Sequence, residues 1–210
     1  MLKKEYAILE PFAKMPWRKF AFRDVLKQAK KKSEGYVYDS LKKFVKQGIL
    51  KEEKAGNVVL YSLDAGSLKA QSYAGFVSEH VAWGQKHIPY KDMQKIADKM
   101  PEDFYIFIIT GSYAGNRQKE TSDIDVAIII GDSSEPKKVY AQLKLACELN
   151  IPQIHLYVFR KSEFLRMLLN DEANYGKEIV KNNLIMYGGE AYYKILNEAI
   201  KNGFDGKKLY

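Results

Sequence analysis

Residues 110–130 read TGSYAGNRQKETSDIDVAIII, and the fold of the chain turns on them. Upstream, after Pro101, the apolar run DFYIFIIT reads as a strand that stops at Gly111-Ser112. The residues that follow, YAGNRQKET, are small and polar and suit a helix start or a loop. Asp123 and Asp125 then stand at the head of a second apolar strand, Val126 to Ile130. Positions i and i+2 of a strand share a face, so the two carboxylates lie roughly 7 Å apart and repel unless positive charge sits between them. One or two Mg²⁺ ions would relieve that repulsion, as where a few carboxylates and substrate phosphates hold a metal together. Gly111 lets the backbone approach a phosphate, and backbone N–H groups with the Ser112 hydroxyl can hold its oxygens.

Other phosphate-binding signatures are missing. No Gly-Lys-Ser/Thr ending of a Walker A loop and no Gly-x-Gly-x-x-Gly occurs. Downstream, Val139 to Leu149 reads as a helix and IPQIHLYVFR, residues 151–160, as a third strand. In that strand Ile154, Leu156 and Val158 point one way, and His155, Tyr157 and Phe159 the other.

The Gly111-Ser112 pair, with Asp123-x-Asp125 twelve residues on, resembles the DNA-polymerase-β-like nucleotidyltransferases, especially their small bacterial and archaeal members. The similarity runs over roughly residues 85–200. It implies a nucleotidyltransferase α/β domain in which Gly111 and Ser112 bind the triphosphate of an NTP, ATP being the expected one. Asp123 and Asp125 would bind Mg²⁺ and serve catalysis. It also implies an acceptor that is a small molecule or a protein hydroxyl, as in antitoxins that modify a partner toxin. The chain departs from the pattern twice. Gly115 comes one residue before the family's loop glycine, leaving Asn116 in its place. The family's third carboxylate belongs on the strand IPQIHLYVFR, which has no acid. His155 is the stand-in, able to bind metal or take a proton, or else a structural residue of a site without turnover. Glu163, just past the strand, is a weaker candidate for that role and reads first as a helix-start residue.

The N-terminal third has a different character. Residues 1–62 hold 15 Lys/Arg against 7 Asp/Glu, and residues 63–210 hold 19 of each, so the whole +8 surplus lies in the first module. Tyr6, Ile8, Leu9 and Phe12 form a short helical pattern, and Phe20 and Phe22 fit a short strand. Asp24 is placed to cap a helix carrying Val25, Leu26 and Ala29, and Ser33 to cap one with Val37, Leu41 and Phe44 at i, i+4 and i+7. Gly48 stops that helix, and two β-like runs around Ala55-Gly56-Asn57 make a hairpin. This order resembles a winged helix-turn-helix over residues 5–63. The resemblance implies double-stranded DNA as partner, read by a helix face carrying Lys42, Lys43 and Lys46 with Tyr36 and Ser40 beside it. Lysines hold phosphates well but carry little sequence information. The bland alternative is a solvated, lysine-rich face used for protein contacts or dimerisation.

The expected fold class is α+β: a winged helix-turn-helix over 1–63, a helical connector over 64–84 and the nucleotidyltransferase-like domain with a mixed sheet and flanking helices over 85–210. Tyr73, Phe76, Val77, His80 and Val81 are expected to share one helix face. Residues 162–204 read as helical with a break at 183–189, and Lys177 and Lys181 as a solvated face or phosphate partners. The single cysteine, Cys147, excludes an internal disulfide and reads as a buried thiol. No apolar run approaches a membrane span, and Glu5 and Glu10 interrupt what a signal peptide needs. The expectation is a cytoplasmic protein, with a homodimer possible by analogy.

Overall fold

A computed structural model describes residues 5–209 of the chain. It divides into two compact units, one formed by residues up to 78 with 189–206, the other by residues 79–188 with the last few residues. Among the described residues no helix is long and apolar enough to cross a membrane.

The first unit begins with α1 (Tyr6–Lys14), β1 (Phe20–Ala21), α2 (Phe22–Gln28), α3 (Glu34–Lys46), β2 (Leu50–Ala55) and β3 (Val58–Leu63). The strands form one antiparallel sheet in the order β1-β3-β2. The helices close over Ile8, Leu9, Phe12, Phe20, Val25, Val37, Leu41 and Phe44, all fully buried. Ser33 caps α3 by accepting the Tyr36 N–H at 3.3 Å. Gly48, at φ +68°, takes the left-handed turn just past its end. Two local expectations are corrected. The strand stops at Ala21, and Phe22 already begins α2. Asp24 is therefore not the cap but sits in the first turn, where its carboxylate accepts the Ala21 N–H at 3.2 Å.

The unit also holds the start of α4 (Leu68–Trp83) and α10 (Gly189–Lys201). Gly75 and Gly189 bring these backbones so close that a Cβ on either would lie 2.5–2.7 Å from main-chain atoms of the other's segment. The Tyr193 hydroxyl donates to the Ala13 carbonyl at 2.7 Å and meets the Ser78 hydroxyl at 2.7 Å. These interactions group residues 189–206 with the N-terminal unit, so the division differs from the sequence boundaries at 63, 84 and 210. Within α4, Ala70, Ala74, Gly75 and Val77 are buried while Phe76 is exposed, which splits the face expected to hold Phe76 with Val77.

The second unit contains α5 (Tyr90–Ala97), β4 (Tyr105–Thr110), α6 (Gly111–Ala114), β5 (Ile124–Ile130), α7 (Pro136–Glu148), β6 (Ile154–Arg160), α8 (Lys161–Leu169), α9 (Tyr175–Lys181) and β7 (Asn183–Tyr187). Its mixed sheet runs β6-β5-β4-β7, with β5 and β6 parallel and the other pairs antiparallel. From Val126 to Ile130 the central strand β5 is fully buried, as a strand covered on both faces must be. On one face Val126, Ile128, Ile154 and Phe107 pack with Met93 and Ile96 of α5 and Val139, Leu143 and Cys147 of α7. The other face carries Ile106, Ile108, Ala127 and Ile129, with α8 and α9 against it. The break expected at 183–189 is in fact β7, a five-residue strand that pairs with β4 through Ile108↔Ile185 and Thr110↔Asn183.

Candidate functional site

Sheet register assembles the site. Asn183, Thr110, Asp125 and His155 pair in one row across β7, β4, β5 and β6. Gly111 and Ser112 follow Thr110 at the end of that row, and Asp123 stands two residues before Asp125. The structure thus brings Gly111, Ser112, Asp123, Asp125 and His155 together. Tyr36, Ser40, Lys42, Lys43 and Lys46 belong to the other unit.

Gly111 adopts φ +67°, and a Cβ built on it would collide with the Asp125 carboxylate. A Cβ there would force the carboxylate or the turn to shift, so glycine is favoured by the backbone conformation and by the approach of Asp125 together. The position of Gly115 also has a structural account. Gly115 sits at an ordinary φ of −85°, and Asn116 takes the left-handed conformation at φ +50°. Asparagine tolerates that region better than most residues. Gly115 instead leaves room for Arg117, whose Nε would lie 2.7 Å from a Cβ added there.

The Asp125 side chain is 29% exposed and that of Asp123 40%. Burial raises the Asp125 pKa above its ordinary value; His155 opposes the rise and the Asp123 charge adds to it. The imidazole lies between the carboxylates, with Nε2 3.3 Å from Asp123 Oδ2 and Nδ1 3.8 Å from Asp125 Oδ1. Among the described residues no group of three or more His, Cys, Asp and Glu side chains is arranged to hold a metal ion. The carboxylate pair still suits Mg²⁺, a hard cation usually held by one or two carboxylates with substrate phosphates and water. Glu163 is a helix-start residue: its Oε2 accepts the Arg160 N–H at 2.8 Å in the first turn of α8.

Beside the row opens a cleft of about 460 Å³ lined by Thr110, Gly111, Ser112, Arg117, Tyr175, Glu178 and Asn182. The last three come from one face of α9 and its C-terminal cap, at i, i+3 and i+7. The sequence reading missed all of them, because no short motif ties α9 to the Gly-Ser turn. Asn182 Nδ2 donates to the Gly111 carbonyl at 2.7 Å, and Thr110 Oγ1 donates to the Asn182 carbonyl at 2.9 Å. The Tyr175 ring packs on Tyr157 with centroids 4.4 Å apart. Burial and the nearby Asp125 charge hold its phenol well above the ordinary range, and its buried hydroxyl meets no hydrogen-bond partner among the described residues. Tyr175→Phe deletes a buried hydroxyl that makes no bond to the described residues, so the ligand-free melting temperature should stay level or rise. A clear fall in a calorimetric scan would show that the hydroxyl has a partner.

Two side chains are placed differently from the sequence reading. Lys177 is buried, 3% exposed, and neither lies on a solvated face nor reaches for phosphate. Its ammonium donates to the Asn170 and Glu172 carbonyls and ties down the turn between α8 and α9. Ser40 is also buried, 3% exposed, with its hydroxyl donating to the Tyr36 carbonyl at 2.7 Å, and so leaves the proposed contact face of α3. On that face Lys42 pairs with Glu52 at 2.6 Å and Lys43 with Glu5 at 2.8 Å, while Lys46 is exposed. Cys147 is buried, and burial pushes its thiol up to about 11, as expected of an unreactive core cysteine.

Residues 93–185 match the family model described as "Nucleotidyltransferase domain". The match covers the Gly-Ser turn, both aspartates and α9, and ends within β7. No curated protein matches the chain. A solved structure described as "Crystal structure of the toxin-antitoxin with AMP-PNP" is similar at 14% identity, with a TM-score of 0.39, over 54% of this chain and 87% of that one.

Proposed function

We propose that the second unit binds a nucleoside triphosphate, ATP in the first instance, with Mg²⁺, and transfers its nucleotidyl group to an acceptor hydroxyl. The observation that carries this is the Gly111 turn, pressed against the Asp125 carboxylate at the head of a strand bearing Asp123. Such a turn seats phosphates beside the two carboxylates that would hold the metal. Mg²⁺, when bound there by Asp123 and Asp125, neutralises phosphate charge and stabilises the charge that develops at the α-phosphate. Ser112 supplies its N–H and hydroxyl to phosphate oxygens, and Arg117 a further cation at the cleft. The acceptor oxygen bonds to the α-phosphorus as the bond to the β-phosphate oxygen breaks. Pyrophosphate leaves, and the acceptor proton passes to His155.

A second reading is favoured by one feature. Strand β6 offers His155 where relatives of this type carry an acid, and both carboxylates already flank that imidazole. On this reading the unit senses nucleotide without turnover. The full chain is incubated with Mg²⁺, ATP labelled at the α-phosphate and a cell extract. Label covalently attached to an acceptor supports transfer; saturable Mg-ATP binding without labelled acceptor supports sensing. Absence of binding overturns both.

The first unit, on the same proposal, is a winged helix-turn-helix that binds duplex DNA through α3. Its element order and basic charge support this. Duplex affinity should fall steeply with salt. Replacing Lys42, Lys43 and Lys46 by alanine should lower the slope of log K against log salt by about 0.9 for each phosphate left without its lysine. Lys46→Ala should account for much of the change, since Lys42 and Lys43 are already paired with carboxylates. A wild-type affinity independent of salt, measured by fluorescence anisotropy, would sink the assignment.

A further inference from the structure

We propose that Asn182 is a positioning residue for the phosphate-binding turn, acting with Thr110 to lock the peptide between Gly111 and Ser112; this rests on the nucleotide-binding reading above. The Gly111 carbonyl is held from two sides. Asn182 Nδ2 donates to it at 2.7 Å, and the Gly115 N–H at 3.3 Å. A trans peptide is planar, with its C=O and the next N–H pointing in opposite directions. Fixing the Gly111 oxygen therefore fixes the direction of the Ser112 N–H, which must point away from Asn182.

Asn182 is itself held firmly. Its carbonyl accepts the Thr110 hydroxyl at 2.9 Å, and its own N–H reaches the Glu178 carbonyl at 3.1 Å. Thr110 is 2% exposed, so this bond is shielded from water. The neighbouring Asn183 turns its amide the other way, donating to the Ile179 and Val180 carbonyls at 2.9 and 3.1 Å to cap α9. Of two adjacent asparagines, one thus closes the helix and the other reaches across to the turn. Without the anchor, the peptide is free to flip and withdraw the Ser112 N–H from a phosphate seat.

The test uses the full chain with two probes, Mg-ATP and inorganic tripolyphosphate with Mg²⁺, titrated calorimetrically. Asn182→Asp keeps the shape but puts an acceptor against the Gly111 carbonyl. Thr110→Val removes the second bond at nearly constant volume, and covers the case in which Asn182→Asp does not fold. Each should weaken both probes about tenfold, the order expected when one bond to an oriented group is removed. Thr110→Ser retains the hydroxyl and should restore wild-type affinity, which a loss of packing alone would not allow. The double variant should lose less than the product of the singles, because both bonds serve one peptide. Wild-type affinity in folded Thr110→Val or Asn182→Asp, alongside abolished binding in Asp123→Asn, overturns the positioning role alone. A wild-type chain that binds neither probe overturns the nucleotide-binding reading, and the positioning role with it.

Discussion

Asp125→Asn should cut nucleotidyl transfer by on the order of a thousandfold while raising the melting temperature of the ligand-free chain at neutral pH. The two effects share one cause. Asp125 is a partly buried carboxylate facing Asp123, and burial raises its pKa above the ordinary value of 3.8. Its ionised form is therefore less favourable in the folded chain than in the unfolded one. For an acid with a raised folded pKa, the folded state binds more protons between the unfolded and folded values. Wild-type stability thus falls as pH rises through that window, and the penalty is complete above it. Asparagine has the same shape and no charge, so its advantage should be full at pH 7 and fade as pH drops toward 3.8. Label transfer reads the first effect, and thermal melts at several pH values read the second. Mg-ATP should reverse the order of stabilities, since only the wild type gains from binding it. A variant that transfers label at the wild-type rate would remove Asp125 from the site.

How far the sequence could be read follows from which features are local. The strand before Gly111, the Asp pair heading β5 and the alternation that turns His155 outward from the core all depend on spacings of two or on short apolar runs. Ser33 and Gly48 ended α3 as expected because caps are also local signals. The far wall of the cleft was not legible. Tyr175, Glu178 and Asn182 lie more than fifty residues from Gly111 in sequence, and only β7 pairing with β4 brings them alongside. That strand went unseen because NLIMY is five residues long and carries no alternation to distinguish it from a helix end. Lys177 misled for a related reason. A lysine on a short helix ordinarily faces solvent, and only the turn after α8 gives it carbonyls to cap. The grouping of α10 with the first unit rests on the close approach of two glycines in distant segments, which no periodicity reveals.

The other large effect is expected at Gly111. Gly111→Ala should abolish measurable Mg-ATP binding, and Gly48→Ala supplies the comparison that isolates the reason. Both glycines have nearly the same backbone, φ +67° and φ +68°. An alanine at either position carries the left-handed penalty of about 1–2 kcal/mol. Around Gly48 an added Cβ meets nothing within 4 Å, so the penalty is the whole cost there. At Gly111 the Cβ collides with Asp125, and the carboxylate or the turn must move. Moving the carboxylate breaks its alignment with Asp123. Moving the turn strains the bonds from Asn182 and Gly115 to the Gly111 carbonyl. Either way the phosphate seat and the metal ligands lose their relative placement, and a misplacement of about 1 Å can cost a hundredfold where groups must act together. Thermal melts should show both variants destabilised, Gly111→Ala more so. Calorimetric titration should show binding retained in Gly48→Ala and abolished in Gly111→Ala. Equal binding in the two would mean that the close approach of Gly111 to Asp125 has no part in holding the nucleotide.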